Sequence, residues 1–124
     1  MIKDTKKEKK EEKTVDANGK TLGRVASGVA TILMGKNSAS FKRNVYSGFP
    51  VKVINASKIR ITSKKLESIY HTRYSGIPGG LRILKGVETV EKKGFKELLK
   101  LAIFQMLPDN KLRRDMMKNL TIEE

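Results

Sequence analysis

The run VDANGKTLGRVASGVATILMG, from Val15 to Gly35, decides how the chain folds because its hydrophobic period changes within a few residues. Val15-Asp16-Ala17 reads as a short strand. Asn18-Gly19 reads as the turn that ends it, since this pair readily supplies positive φ. Leu22, Val25, Ala26, Val29, Ala30 and Leu33 then recur at three- and four-residue spacing, which predicts an amphipathic helix over Thr21 to Met34. Thr21 is its expected N-cap and Gly35 its expected stop. Gly23 and Arg24 fall in the first turn, where free backbone N–H groups can receive a phosphate. Close helix packing accounts for the glycine equally well.

Working outward, Pro50-Val51-Lys52-Val53-Ile54 reads as a largely buried strand ending at Asn55-Ala56. Ser57 to Arg60 is expected as a short turn or helix, Ile61-Thr62 as a brief extended piece and Ser63-Lys64-Lys65 as a turn. Leu66 to Tyr74 is expected as a strand leading into Ser75-Gly76-Ile77-Pro78-Gly79-Gly80, which cannot continue a regular element. Val87 to Lys92 predicts a short helix ended by Gly94. Phe95, Leu98, Leu99, Ala102, Ile103, Met106 and Leu107 predict a second one, stopped by Pro108. Asp109 or Asn110 is the expected cap of a last helix carrying Leu112, Met116, Met117 and Leu120, with its methionines filling core space. Residues 1–13, a mixture of Lys and Glu with almost nothing to bury, are expected to form a disordered arm, and residues 14–124 a single domain.

Charge is placed rather than spread. Lys20 to Lys85 holds thirteen Lys and Arg residues against one acid, Glu67, and so carries nearly all of the net charge of +14. Such a surface calls for a polyanion. Nucleic acid is favoured over a membrane, because no lipid anchor, basic amphipathic helix or apolar run of roughly 18 residues is present. The N-terminus has no apolar segment of a secretory signal. The absence of cysteine excludes disulfides, thiolate zinc sites and cysteine nucleophiles, and fits a reducing compartment.

Two stretches concentrate the binding chemistry. Between Lys36 and Phe49, the cations Lys36, Lys42 and Arg43 alternate with Phe41, Tyr46 and Phe49. That mixture suits irregular or single-stranded RNA, where bases stack on rings while cations hold phosphates; alternatively, the rings anchor the loop to the core. Around Ser75 to Gly80, glycines allow close backbone approach and the flanking Arg73 and Arg82 can fork onto phosphates. Lys64 and Lys65 add a basic turn. Arg113 and Arg114 sit off the apolar side of the last helix, open to a phosphate or to water.

Catalysis has little to stand on. The chain has neither a G-x-G-x-x-G nor a Walker-type loop, and His71 is its one histidine. Glu67 and His71, four residues apart and on one face if both lie in a strand, form the one conceivable acid–base pair of a nuclease. A pairing of this kind arises easily by chance. No catalytic residue, metal site, cofactor or small-molecule substrate is expected.

Taken in order, Val15-Asp16-Ala17, Gly19-Lys20-Thr21-Leu22-Gly23-Arg24, Gly35-Lys36, Val53-Ile54-Asn55-Ala56, Arg73, Ser75-Gly76, Pro78-Gly79-Gly80, Met106-Leu107-Pro108, Leu112, Arg114 and Met116 resemble the large-subunit ribosomal protein thirteen family in its bacterial or organellar form. The resemblance covers most of the chain, from Val15 to about Leu120. It implies an α/β fold, a three-layer α/β/α domain around a small, mainly parallel sheet with basic loops. It also implies a non-enzymatic constituent of the large ribosomal subunit that binds large-subunit ribosomal RNA early in assembly beside neighbouring ribosomal proteins. The RNA-facing positions it implies are Lys20, Arg24, Lys36, Arg73, Ser75, Gly76, Gly79, Gly80 and Arg114. Lys42, Arg43, Lys64, Lys65, Arg82 and Arg113 join them on chemistry alone. The expected location is the ribosome in the cytoplasm, with an organellar ribosome as the alternative. An RNA-binding regulator or assembly factor acting off the ribosome is the alternative function.

Overall fold

Val51 and Val53 are fully buried in β2 (Val51–Ile54), the central strand of a three-stranded parallel sheet. In the computed structural model, which describes residues 10–124, β1 (Lys13–Asp16) lies on one side of it in the register Lys13↔Val51 to Asp16↔Ile54. On the other side lies β5 (Leu120–Ile122), in the register Val51↔Leu120 to Val53↔Ile122. Parallel neighbours require long crossovers. Between β1 and β2 the crossover is α1 (Leu22–Met34) and the basic loop. Between β2 and β5 it contains a 3₁₀ turn (Ala56–Lys58), α2 (Ser63–Ser68), β3 (Tyr70–Tyr74), β4 (Leu81–Lys85), α3 (Gly86–Met106) and α4 (Leu112–Lys118). The α/β architecture read from the sequence is present.

The apolar stripe of α1 is the stripe that is buried. Val25, Ala26, Val29, Ala30 and Leu33 share one core with Val51 and Val53 of the sheet, Leu99, Ile103 and Leu107 of the chain around α3, and Met116 of α4. Gly35 ends α1 in a left-handed conformation, its N–H bonded to the Ile32 carbonyl at 3.1 Å. Each fully buried aliphatic side chain contributes roughly 1.5–3 kcal/mol by leaving water.

Three local expectations are corrected. Residues 63–68 form α2 rather than a turn running into a strand, because Thr62 caps it: its hydroxyl accepts the Lys65 N–H at 3.3 Å. The strand therefore starts at Tyr70, not Leu66, and pairs antiparallel with β4 from Tyr70↔Lys85 to Tyr74↔Leu81. Leu120 belongs to β5 and not to the last helix, which ends at Lys118 and is capped by Asn110, whose side-chain oxygen accepts the N–H groups of Leu112 and Arg113. The expected break at Gly94 is found as a non-helical residue (φ 79°, ψ 179°) within α3.

Of the arm expected over residues 1–13, residues 1–9 lie outside those described. Lys10 donates to the Gly48 carbonyl at 3.1 Å and lies over the rings of Tyr46 and Phe49, and Lys13 opens β1.

Ile103 is fully buried where α3 meets the core. Ile103→Ala is expected to destabilise the protein by about 2–5 kcal/mol, measured by urea unfolding followed by circular dichroism. A cost below about 1 kcal/mol would mean that this contact is not part of the central core.

Candidate nucleic-acid interface

The turn between β1 and α1 is fixed from both sides. Asp16 accepts the Asn18 N–H at 2.9 Å and the Asn55 side-chain amide at 3.1 Å. These bonds, that to the Asn18 backbone first, hold its carboxyl below the usual range. The Arg60 N–H bonds the Lys20 carbonyl at 2.9 Å, and the Gly19 N–H bonds the Lys58 carbonyl at 3.1 Å. Lys20, Lys58 and Arg60 are thereby gathered at the start of α1, where Arg24 follows in the first turn. All four are exposed.

The basic loop is anchored at both ends. An ideal Cβ on Gly48 would lie 1.7 Å from the Leu33 carbonyl oxygen, so only glycine permits this approach of backbone to backbone. Phe49 N–H bonds the Ile32 carbonyl at 3.4 Å, Lys13 lies 4.5 Å from the centroid of the Phe49 ring, and the Asn119 amide donates to the Tyr46 hydroxyl. Burial pushes the Tyr46 phenol up. Tyr46 and Phe49 are therefore the anchoring rings. At the loop's far end Lys42 and Val45 bridge across Arg43-Asn44, leaving Lys36, Lys42 and Arg43 exposed.

The hairpin β3–β4 has two unlike faces. In antiparallel pairing, directly opposed residues share a face, so Arg73 and Arg82 stand side by side. Their connection contains the turn Ile77-Pro78-Gly79-Gly80. Proline sits at its second position, Gly79 has φ +77° and the Gly80 N–H bonds the Ile77 carbonyl at 3.0 Å, the arrangement of a type II turn. Ser75, Gly76 and Gly79 are exposed and Gly80 is half-buried against Ser75. On the opposite face Tyr70, Tyr74, Leu81 and Ile83 are each more than half exposed, an apolar surface that the sequence reading did not single out. Lys64 and Lys65 are exposed on α2, ahead of this hairpin.

A fourth group surrounds an open groove of about 940 Å³ beside α3 and α4. Arg113 is not free, contrary to the expectation from sequence. Its guanidinium lies 3.9 Å from the centroid of the Phe104 ring and 2.9 Å from Asp109 Oδ1. Arg114, Lys100, Lys111 and Lys118 share the groove. The three lysines were missed because residues 86–124 are nearly neutral in total. Phe104, an aromatic outside the apolar stripe of its helix, was the available signal. Among the described residues only Lys52 and Arg113 form ion pairs with carboxylates, so the other candidate cations have no such partner.

Glu67 and His71 do not share a strand: Glu67 is exposed on α2, whereas His71 is buried in β3. His71 Nε2 has no hydrogen-bond partner among the described residues, and burial lowers the imidazole pKa below its ordinary value of 6.5. A neutral buried histidine stabilises the fold above the unfolded pKa, and that contribution is lost as pH falls toward the depressed folded value. Unfolding stability of the native chain is expected to drop below about pH 6.5 more steeply than that of His71→Phe. Parallel pH profiles in urea titrations would show instead that His71 stays accessible to protons in the fold.

A sequence model of the family described as ribosomal protein L13 matches residues 10–123. The large ribosomal subunit protein uL13 of Syntrophotalea carbinolica is 43% identical over 108 residues, covering 87% of this chain and 75% of its own. That of Thermus thermophilus is 44% identical over 108 residues, covering 87% and 76%. That of Geobacter sulfurreducens is 40% identical over 126 residues, covering 98% and 87%.

Proposed function

The chain belongs to the ribosomal protein L13 family, and from that membership we propose that it is a structural constituent of the large ribosomal subunit, binding large-subunit ribosomal RNA and supporting early assembly of the subunit. The observation that carries this reading is the set of exposed cations on the β1–α1 turn, the basic loop, α2 and the hairpin, without carboxylate partners among the described residues. Cations left unpaired by their own protein are neutralised by a polyanion, which releases its condensed counterions.

The geometry supports docking over several short contacts. Arg73 and Arg82, paired across the hairpin, can straddle neighbouring phosphates, while Ser75, Gly76, Gly79 and Gly80 let the backbone approach the RNA closely. Lys20 and Arg24 meet a phosphate at the start of α1, Lys36, Lys42 and Arg43 meet phosphates at the loop, and Arg114 meets one at the α4 groove. The exposed face of Tyr70, Tyr74, Leu81 and Ile83 favours a role inside a larger particle, where neighbouring large-subunit proteins or RNA cover it. The role is architectural and not catalytic. The protein's location is the ribosome, and no helix among the described residues is long and apolar enough to cross a membrane.

Binding to deproteinised large-subunit RNA should weaken steeply with salt, by roughly 10³–10⁵-fold between about 50 and 200 mM if about 6–10 phosphates are contacted. Arg73→Ala should weaken binding and reduce the slope of log K against log salt by about one, and Arg73→Ala with Arg82→Ala by about two. Filter binding across a salt series checks this. An unchanged slope would take the hairpin out of the interface.

A further inference from the structure

Lys36, Lys42 and Arg43 do more than decorate a loop: they border a second cavity, of about 300 Å³, whose wall is apolar. That wall is assembled from three distant parts of the chain. Met34 comes from the end of α1, Phe41 and Val45 from the basic loop, and Leu112 and Met116 from α4. The Lys42–Val45 bridge holds the loop in a tight turn at this point, and the glycine contact at Gly48 holds its base. The cavity is therefore built by the fold.

We infer that this cavity receives a single unstacked base of the bound RNA, with the phosphates on either side of that nucleotide held by Lys36, Lys42 and Arg43. The inference rests on the RNA-binding function proposed above and assigns it a mode of recognition. Three features select this occupant. The volume lies at the bottom of the roughly 300–1,000 Å³ range of ligand pockets, which suits one planar ring system. The lining supplies an aromatic ring and two polarisable methionines, surfaces that accept the face of a base without regard to sequence. The cations at the mouth have no carboxylate partner among the described residues, which favours an apolar group bearing negative charge on both sides and disfavours a neutral apolar peptide.

Asn110 adds a preference. It lines the cavity, and its side-chain oxygen is already committed to the Leu112 and Arg113 N–H groups. Only its amide N–H groups remain to be offered, so an acceptor on the base edge, a carbonyl or an unprotonated ring nitrogen, is the group it recognises. Asn110 also lines the α4 groove, so an RNA strand leaving the cavity meets Arg114 and Lys111 next.

Two measurements on the full chain test this. In methyl-detected NMR, AMP or UMP should shift the methyl signals of Val45, Leu112 and Met116 saturably in the millimolar range, whereas inorganic phosphate should leave them unmoved. Equal responses to nucleotide and phosphate, or none to either nucleotide, would overturn the inference. With deproteinised large-subunit RNA, Phe41→Ala should lose roughly 5- to 100-fold in affinity while the salt slope stays unchanged, since a stack and not a phosphate contact is removed. Val45→Trp, which narrows the mouth at a residue 53% exposed and so spares the fold, should do the same. Wild-type affinity in Val45→Trp would overturn the cavity assignment alone. Failure of the unaltered protein to bind the RNA would overturn the RNA-binding function with it.

Discussion

Pairing of Val51–Ile54 with both β1 and β5 is the constraint on which the rest of the structure depends, because it joins strands from the beginning, middle and end of the chain. A parallel neighbour on each side leaves no room for hairpin connections in this sheet, so every other element belongs to a crossover. Both sheet edges are fastened to the central segment by backbone bonds: the N–H of Lys13 bonds the Pro50 carbonyl, and that of Glu123 bonds the Val53 carbonyl. Lys52 and Glu123 add an ion pair at 2.9 Å across the β2–β5 pair. Being partly exposed, it contributes little stability. Burial of valine, leucine and isoleucine carries the fold.

From this small core the charged surface is held outward on short, fastened elements. The loop is tied down by Gly48 and Tyr46, the β1–α1 turn by Asp16 and Asn55, and the hairpin by a type II turn and by Leu84 and buried His71 on its inner side. Mutual repulsion among so many like charges opposes the compact state, and a polyanion relieves it. The same distribution therefore costs stability in the free protein and favours the bound one. Fastening the loops in advance also lowers the ordering entropy that binding must overcome.

What was legible in the sequence follows from how local each signal is. The α1 stripe and its Gly35 stop depend on neighbours within one or two turns, and the break at Gly94 on a single residue, so both could be read directly. The Thr62 cap was overlooked because no glutamate follows at its third position, where Lys65 stands. β4 and β5 were missed for a different reason: Leu81–Lys85 and Leu120–Ile122 become strands through partners elsewhere, and their apolar–polar alternation spans three residues, too short a run to mark a strand locally. The candidate cations were legible as a charge run. Their grouping was not, since Arg60 meets Lys20 and the basic loop meets α4 only after the chain has folded.

The most direct test of the central claim is the stoichiometry of a tagged copy in the large-subunit peak of a density gradient after a high-salt wash. The account predicts about one copy per particle, because many distributed contacts and the surrounding assembly retain a structural constituent. Loss on washing, or migration with precursors or messages but not with mature subunits, would contradict it and place the RNA-binding surface in the service of a factor that acts off the ribosome.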